Sequence, residues 1–296
     1  MKIRHLLGFA ALAGALSLPQ AVLAQRAARA QATAPKSAQE AAPIELTGYW
    51  VSVVTEDWRW RMLTPPHGDY ASVPLNPAGK KIADMWSTAQ DGSCKAYGAA
   101  GVMRMPTRVH ISWTDPNTLQ LQTDWGEQTR TFHFMPGQPY AASMMGDNRG
   151  LPPQPARADT AGAQGAPSLQ GDSVAVWQLP YEINANVGLR GPQRAGGFGP
   201  QAAPEPGGDL AVVTTNLSPG WLRRNGVPYG ARTRLTEFYQ TFTDPAGKKW
   251  FDVTTEVVDP EYLMAPFITS SDFRHEPDNA KWAPHPCRNT GDSAQD

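Results

Sequence analysis

Residues 108–134 decide the fold class, and their sequence is RVHISWTDPNTLQLQTDWGEQTRTFHF. Within residues 108–114 apolar and polar side chains alternate, which is the period of a β-strand with one buried face. Residues 115–118 (DPNT) carry a turn signal with proline at the second position, and residues 119–123 resume the alternation. A third strand is expected over residues 129–134, so this stretch predicts a meander of three strands.

The same pattern recurs in the C-terminal half of the chain. Residues 235–242 form a predicted strand, residues 244–247 (DPAG) a turn, and residues 250–258 the returning strand. The Asp259-Pro260 pair breaks this last strand, since proline cannot donate to a sheet. Further strand candidates are residues 47–55, 173–178 and 210–217.

The helical signal is weak and is concentrated in residues 77–86, where Asn76 suits the N-cap and Pro77 the first helical position. Many short strands with Pro/Gly turns and little helix predict an all-β fold. Two architectures fit this prediction, a lipocalin-like antiparallel β-barrel and a β-sandwich, each with long Pro/Gly-rich loops and one short helix. A barrel of about eight strands has room inside for one small ligand.

The N-terminus has the features of a cleavable secretory signal peptide. Lys2 and Arg4 precede an apolar run over residues 6–18, and residues 21–24 (AVLA) form a small-x-small cleavage site. The apolar run is shorter than the roughly 20 residues that span a bilayer. We therefore expect a signal peptide at 1–24, location in the periplasm and no membrane span after cleavage.

Composition limits the partners of the mature chain. Cleavage removes two of the 26 Lys and Arg residues and leaves 27 Asp and Glu residues, so the mature chain is slightly acidic. Without a strongly basic field, a nucleic-acid partner is not expected. The chain also lacks the common motifs of phosphate-binding loops, haem attachment and zinc proteases, so we expect no cofactor and no metal.

The rest of the chain is expected to form a single β-rich domain over residues 44–296, after a disordered, Ala/Gln-rich leader at 25–43. Two low-complexity insertions, near 136–171 and 190–208, are rich in small residues, Pro and Gly. The only cysteines are Cys94 and Cys287. Export favours a disulfide between them, while a free thiol and a metal ligand are the alternatives.

Several segments of the mature chain resemble a family of exported bacterial proteins of unassigned function. They are TGYW at 47–50, EDWRWRM at 56–62, CKAYGAA at 94–100, PGWLRRNGVPY at 219–229, LTE at 235–237 and DPEYL at 259–263. The resemblance covers most of the mature chain. It implies a periplasmic, β-rich protein, and it carries over no catalytic residues.

The first candidate site is the run Trp58, Arg59, Trp60 and Arg61. In an extended chain the two tryptophans share one face and the two arginines the other. Aromatic rings beside guanidinium groups suit a planar or anionic organic ligand. The alternative is an ordinary strand with tryptophans in the core and arginines in solvent.

The second candidate is the polar face of the meander. Arg108 and His110 share one strand face, and His133 lies two strands further along the chain. If that face lines a barrel lumen, His110 is a candidate general base. The alternative is a solvated outer face.

The third candidate combines Glu237 and Tyr239 with carboxylates of the returning strand at Asp252 and Glu256. Buried together, such carboxylates form an acid/base pair, whereas on an exposed face they only solubilise the protein.

The fourth candidate is Trp221 with Arg223 and Arg224, before a turn at Asn225-Gly226. These arginines can receive a carboxylate; the alternative is a loop anchored by Trp221.

Three functions remain open. They are a protein that binds an aromatic or hydrophobic molecule with an anionic group, a cofactor-independent lyase, isomerase or hydrolase, and a structural or interaction protein of the cell envelope. The candidate catalytic residues are His110 and Glu237. The candidate ligand-binding residues are Trp58, Arg59, Trp60, Arg61, Arg108, Trp221, Arg223 and Tyr239.

Overall fold

A computed structural model describes residues 37–135, 165–178 and 208–289. In chain order its strands are β1 (Gly48–Val53), β2 (Arg108–Asp115), β3 (Thr118–Thr123), β4 (Trp125–Gly126), β5 (Thr129–Phe134), β6 (Asp172–Gln178), β7 (Asp209–Thr215), β8 (Gly220–Arg223), β9 (Val227–Tyr229), β10 (Arg234–Thr243), β11 (Lys249–Val258), β12 (Phe267–Glu276) and β13 (His285–Pro286). The helices are α1 (Trp58–Arg61), α2 (Pro77–Ala83) and α3 (Ala99–Val102), with 3₁₀ turns at Thr88–Gln90 and Cys94–Tyr97.

Nine strands close into a barrel in the order β1-β12-β11-β10-β7-β6-β5-β3-β2. The predicted meander is β2-β3-β5, and the predicted C-terminal hairpin is β10-β11, so both predictions are confirmed. An odd number of strands cannot alternate in direction around a closed ring. One neighbouring pair therefore has to be parallel, and here it is β5 with β6. The barrel architecture is thus the correct one of the two that the sequence allowed.

The barrel interior is a packed core in the described part of the chain. Every second residue of each strand points inward, because side chains alternate between the two faces of a sheet. The largest apolar side chains that fill it, each at most 1% exposed, are Trp50, Ile111, Leu119, Leu121, Phe132, Trp177, Tyr239, Phe251 and Phe273.

Residues 37–47 cover one end of the barrel. Ala38 and Ala41 are buried in the main core, and the indole N–H of Trp177 donates to the Ala38 carbonyl at 2.8 Å. The predicted disordered leader is therefore wrong for residues 37–43, because small side chains there pack against the barrel. The signal peptide and the rest of the leader lie outside the described residues.

A layer of loops and short elements, which we call the cap, covers the other end. It comprises residues 54–107, 216–233 and 259–266, and a second apolar cluster joins it to the barrel through Leu235, Val257 and Phe267. Cys94 of the cap forms the predicted disulfide with Cys287, with the Cα atoms 4.9 Å apart. Strand β13 beside this cysteine pairs with β4.

Helix α2 begins as expected, since the Asn76 side chain accepts a hydrogen bond from the Gly79 N–H at 2.8 Å. It ends at Ala83, before the predicted Trp86, and α1 and α3 are additional to the one helix expected. None of the helices in the three described ranges is long and apolar enough to cross a membrane. Of the predicted insertions, residues 136–164 and 190–207 lie outside the described residues.

Candidate functional site

The segment that carries the first candidate residues is helical, so the extended arrangement expected for it is wrong. Asp57 adopts a left-handed backbone conformation, with φ 53° and ψ 26°. Its carbonyl accepts the N–H groups of Trp60 and Arg61 at 2.8 and 3.1 Å, which starts one helical turn. In consequence the tryptophans do not share a face: Trp58 is 60% exposed, whereas Trp60 is half-buried. Arg61 is buried.

Three buried arginines meet where α1, the residues after α3 and strand β8 pack together. We call Arg61, Arg104 and Arg223 the arginine cluster; they are 1%, 5% and 3% exposed, respectively. Arg61 donates from Nε to the Arg104 carbonyl at 3.1 Å and from Nη1 to the Val53 carbonyl at 3.2 Å. Arg104 donates from Nη2 to Oδ2 of Asp57 at 3.1 Å.

Two aromatic rings frame the cluster. The guanidinium carbon of Arg223 lies 4.9 Å from the ring centroid of Trp60 and 5.9 Å from that of Phe267. The guanidinium carbon of Arg104 lies 5.9 Å from the same Phe267 ring. Trp60 is held in place because its indole N–H donates to Asp69 at 3.3 Å, and Asp69 also pairs with Arg59 at 2.8 Å.

Several hydrogen-bond donors of the cluster have no partner among the described residues. These buried atoms are Nη2 of Arg61, Nη1 of Arg104, and Nε and Nη1 of Arg223. Arg104 forms an ion pair with Asp57, whereas neither Arg61 nor Arg223 has a carboxylate within 4 Å in the described ranges. Buried N–H groups of native proteins are nearly always satisfied, so these donors call for an explanation.

The electrostatics agree with an excess of positive charge in this place. Burial, and secondly the neighbouring Arg104, lower the pKa of both Arg61 and Arg223 to about 10. Nearby carboxylates partly offset this lowering of the pKa: Glu56, then Asp57 and Asp272 at Arg61, and Asp69, then Asp57 at Arg223. Among the described residues only Arg104 of the three has a carboxylate within ion-pair distance, the half-exposed Asp57, and the arrangement is suited to holding an anion.

The second candidate residues lie on the outer surface of the barrel, so the hypothesis that they line a lumen is wrong. Arg108 pairs through Nε with Glu276 at 2.8 Å. The His110 ring stacks on Tyr49 at a centroid distance of 4.3 Å, and His133 is exposed on β5. Neither histidine contacts the arginine cluster.

The third candidate residues are split between the two faces of the barrel wall. Glu237 and Tyr239 point inward and are buried, whereas Asp252 and Glu256 have the opposite strand parity and point outward. The hypothesis of a buried carboxylate pair across the hairpin is therefore wrong, and the alternative of an exposed face applies to Asp252 and Glu256. Glu237 instead accepts both terminal nitrogens of Arg130, at 2.9 and 2.5 Å, and the Tyr239 hydroxyl at 3.1 Å.

Burial and the Glu237 charge shift the pKa values of both partners of Glu237. Burial alone lowers the pKa of Arg130, but the charge of Glu237 reverses the effect and raises it. Burial and then the Glu237 charge raise the pKa of Tyr239 well above its usual value. Glu237 is thus the ion-pair partner of Arg130 and is fully buried inside the barrel.

The fourth candidate is divided as well. The predicted turn at Asn225-Gly226 is confirmed between β8 and β9, with Gly226 at φ 81°. Trp221 packs among apolar cap residues as a hydrophobic anchor, while Arg223 joins the arginine cluster. Arg224 donates to the Arg61 carbonyl at 3.0 Å and so supports α1.

Sequence reasoning missed three members of the site: Asp57, Arg104 and Phe267. Arg104 stands between Met103 and Met105 in an otherwise apolar stretch, and an arginine in that setting indicates burial. No local pattern connects Phe267 with Arg104, because they are distant in sequence and meet only when β12 closes the barrel.

A cavity at the opposite end of the barrel is less suited to a ligand. Its volume is about 130 Å³, and its walls include Trp113, Leu119, Trp177 and Ile44. Small-molecule sites usually measure about 300 Å³ or more. In the described ranges no group of three or more His, Cys, Asp or Glu side chains is arranged to hold a metal ion.

The chain was compared with protein family models, curated proteins and solved structures, and none of them matches it. The resemblance to exported bacterial proteins therefore stays a prediction.

Proposed function

We propose that this is an exported binding protein that holds a small anionic organic molecule against the arginine cluster. The observation that carries the proposal is the set of buried, unpartnered N–H donors on Arg61, Arg104 and Arg223. The proposal rests on this cluster alone, because six of the ten candidate residues lie elsewhere or only support the site: Arg59, Arg108, His110, Trp221, Glu237 and Tyr239.

The energetics favour a binding role over a purely structural one. A buried donor without a partner costs about 1–3 kcal/mol, and the desolvation of an arginine adds to this. An apolar side chain such as methionine would fill the place of Arg223 without that cost. A bound carboxylate, sulfate or phosphate group would satisfy the donors through charge-assisted hydrogen bonds.

The surroundings indicate the class of the ligand. The Asp57 side chain is 49% exposed, which marks the solvent side of the cluster. Beside it, Trp58 and Met62 lie one helical turn apart and are 60% and 52% exposed. An aromatic or apolar body can rest on these side chains while its anionic group reaches the arginines.

Calorimetric titration with 1-naphthyl phosphate tests the proposal, using the mature chain with its disulfide intact. We expect the wild type to bind, and Arg223→Met to bind at least 30-fold more weakly. Arg232→Gln is the matched control, because Arg232 is 70% exposed and its loss removes the same charge. Its affinity should stay within twofold of the wild type.

A stability measurement separates binding from structural support. In Arg223→Met the loss of the unpartnered donors favours folding, whereas the loss of two cation–π contacts, of about 0.5–2 kcal/mol each, opposes it. Because the two effects offset each other, the free energy of unfolding should change by no more than about 1 kcal/mol. Absence of binding by the wild type, or an Arg223→Met variant that binds as well as the wild type, would contradict the proposal.

A further inference from the structure

We infer that the Asp57 carboxylate is a built-in counter-ion that occupies the position of the ligand's anionic group, so that binding exchanges one anion for another. The inference rests on the proposed function and deepens it. It assigns the ligand a dianionic phosphoryl group. Such a group gains binding affinity when it displaces the Asp57 carboxylate, whereas another carboxylate does not.

The first argument is the place of the carboxylate. Oδ2 of Asp57 lies 3.1 Å from Nη2 of Arg104, and its charge acts on Arg61 and Arg223 as well. The side chain of Arg104 is 6% exposed and that of Asp57 49%. The carboxylate therefore contacts both solvent and the buried Arg104 guanidinium group.

The second argument is that the side chain of Asp57 can leave without unfolding its surroundings. The backbone is held in the left-handed region, and its carbonyl accepts the N–H groups that start α1. The carboxylate itself makes one hydrogen bond among the described residues, to Arg104. Rotation of the side chain thus exchanges a single ion pair and leaves the helical turn intact.

The other carboxylates near the cluster have partners of their own. Asp69 is held by Arg59 and by the Trp60 indole. Glu56 shares a hydrogen bond with Asp272, and this bond, followed by burial, raises the pKa of Glu56. Asp57 is consequently the carboxylate that a ligand would displace from Arg104.

The exchange discriminates between anions by charge. A carboxylate ligand that displaces Asp57 replaces one carboxylate–guanidinium pair by another, so the pair itself contributes little to affinity. A phosphate monoester carries two charges above its second pKa of about 6 and has three acceptor oxygens. It can satisfy Arg104 and also the unpartnered donors of its neighbours Arg61 and Arg223.

The test compares 1-naphthyl phosphate with 1-naphthoate at pH 8, by calorimetry, on the wild type and on Asp57→Asn. Asparagine tolerates the left-handed conformation as aspartate does, so the backbone is retained. We expect the wild type to bind the phosphate at least tenfold more tightly than the carboxylate. In Asp57→Asn, naphthoate affinity should rise at least fivefold and the difference between the two ligands should narrow.

Asp278→Asn is the matched control, since Asp278 is exposed in the C-terminal segment and the variant has the same net charge as Asp57→Asn. Both of its affinities should equal those of the wild type. If Asp57→Asn does not melt cooperatively, Asp57→Gly replaces it, because glycine adopts the same backbone conformation without strain.

The outcomes separate the two proposals. If the wild type binds naphthyl phosphate but removal of the Asp57 charge does not raise naphthoate affinity, the counter-ion inference is wrong and the proposed function stands. Equal wild-type affinities for the two ligands would also overturn it. If the wild type binds neither ligand, the proposed function is wrong, and the inference falls with it.

Discussion

Replacement of Glu237 by glutamine should destabilise the barrel strongly, because it leaves the Arg130 charge buried without its counter-ion. Both side chains are fully buried, and Glu237 accepts two hydrogen bonds from Arg130 and one from Tyr239. Removal of one partner of a buried ion pair costs about 3–5 kcal/mol. Since glutamine keeps one acceptor oxygen, we expect a loss of about 3 kcal/mol in the free energy of unfolding.

The measurement is urea unfolding followed by tryptophan fluorescence, with the disulfide intact. The control is Glu256→Gln on the outward face of β11, where a change of about 0.5 kcal/mol or less is expected. The double variant Arg130→Met/Glu237→Leu should recover much of the lost stability, because it removes both charges and leaves neither unpaired. A loss below about 1 kcal/mol in Glu237→Gln would refute the reasoning.

Two further predictions concern the barrel wall and the disulfide. Asp252 lies directly opposite Asp272 on β11 and β12, and burial together with that charge raises its pKa to about 6. A carboxyl whose pKa is raised by folding contributes stability at low pH that is lost as the pH climbs from about 4 to about 6. In urea unfolding, Asp252→Asn should therefore stabilise the protein by about 1 kcal/mol at pH 7.5, after allowance for solvent screening. At pH 4 the same variant should show no measurable change in the free energy of unfolding. A loss of stability at pH 7.5 would contradict the prediction. The Cys94–Cys287 bond spans 193 residues, so the Cys94→Ser/Cys287→Ser variant should lose about 5 kcal/mol. An unchanged melting temperature on reduction would show that the unfolded chain does not gain the expected freedom.

Local features were predictable because their causes lie within a few residues. The alternation in residues 108–134 and the turn at 115–118 define the β2-β3-β5 meander. Asn76 and Pro77 mark the start of α2, since the cap acts on an N–H group three residues away. The disulfide followed from the presence of two cysteines and the predicted export.

The candidate site was predictable only in part. Trp60, Arg61 and Arg223 were recognised as ligand-binding candidates from their residue types. Their grouping depends on the left-handed turn at Asp57, which converts an expected strand into α1. Arg104 and Phe267 join them from distant parts of the chain, and no short-range pattern carries that information.

By itself the sequence predicted eight of the nine barrel strands, all except β12, together with the turns, the cysteine pair and a choice between two all-β architectures. The tertiary structure decided which strand face is inside, and so placed Glu237 in the core and Asp252 outside. A strand has a period of two, so a shift of one residue in register exchanges its faces. The parallel pairing of β5 with β6, which closes the barrel, and the meeting of three arginines in the cap are likewise long-range events. They depend on how whole strands pack, because guanidinium groups are brought together by the fold and not by their spacing along the chain.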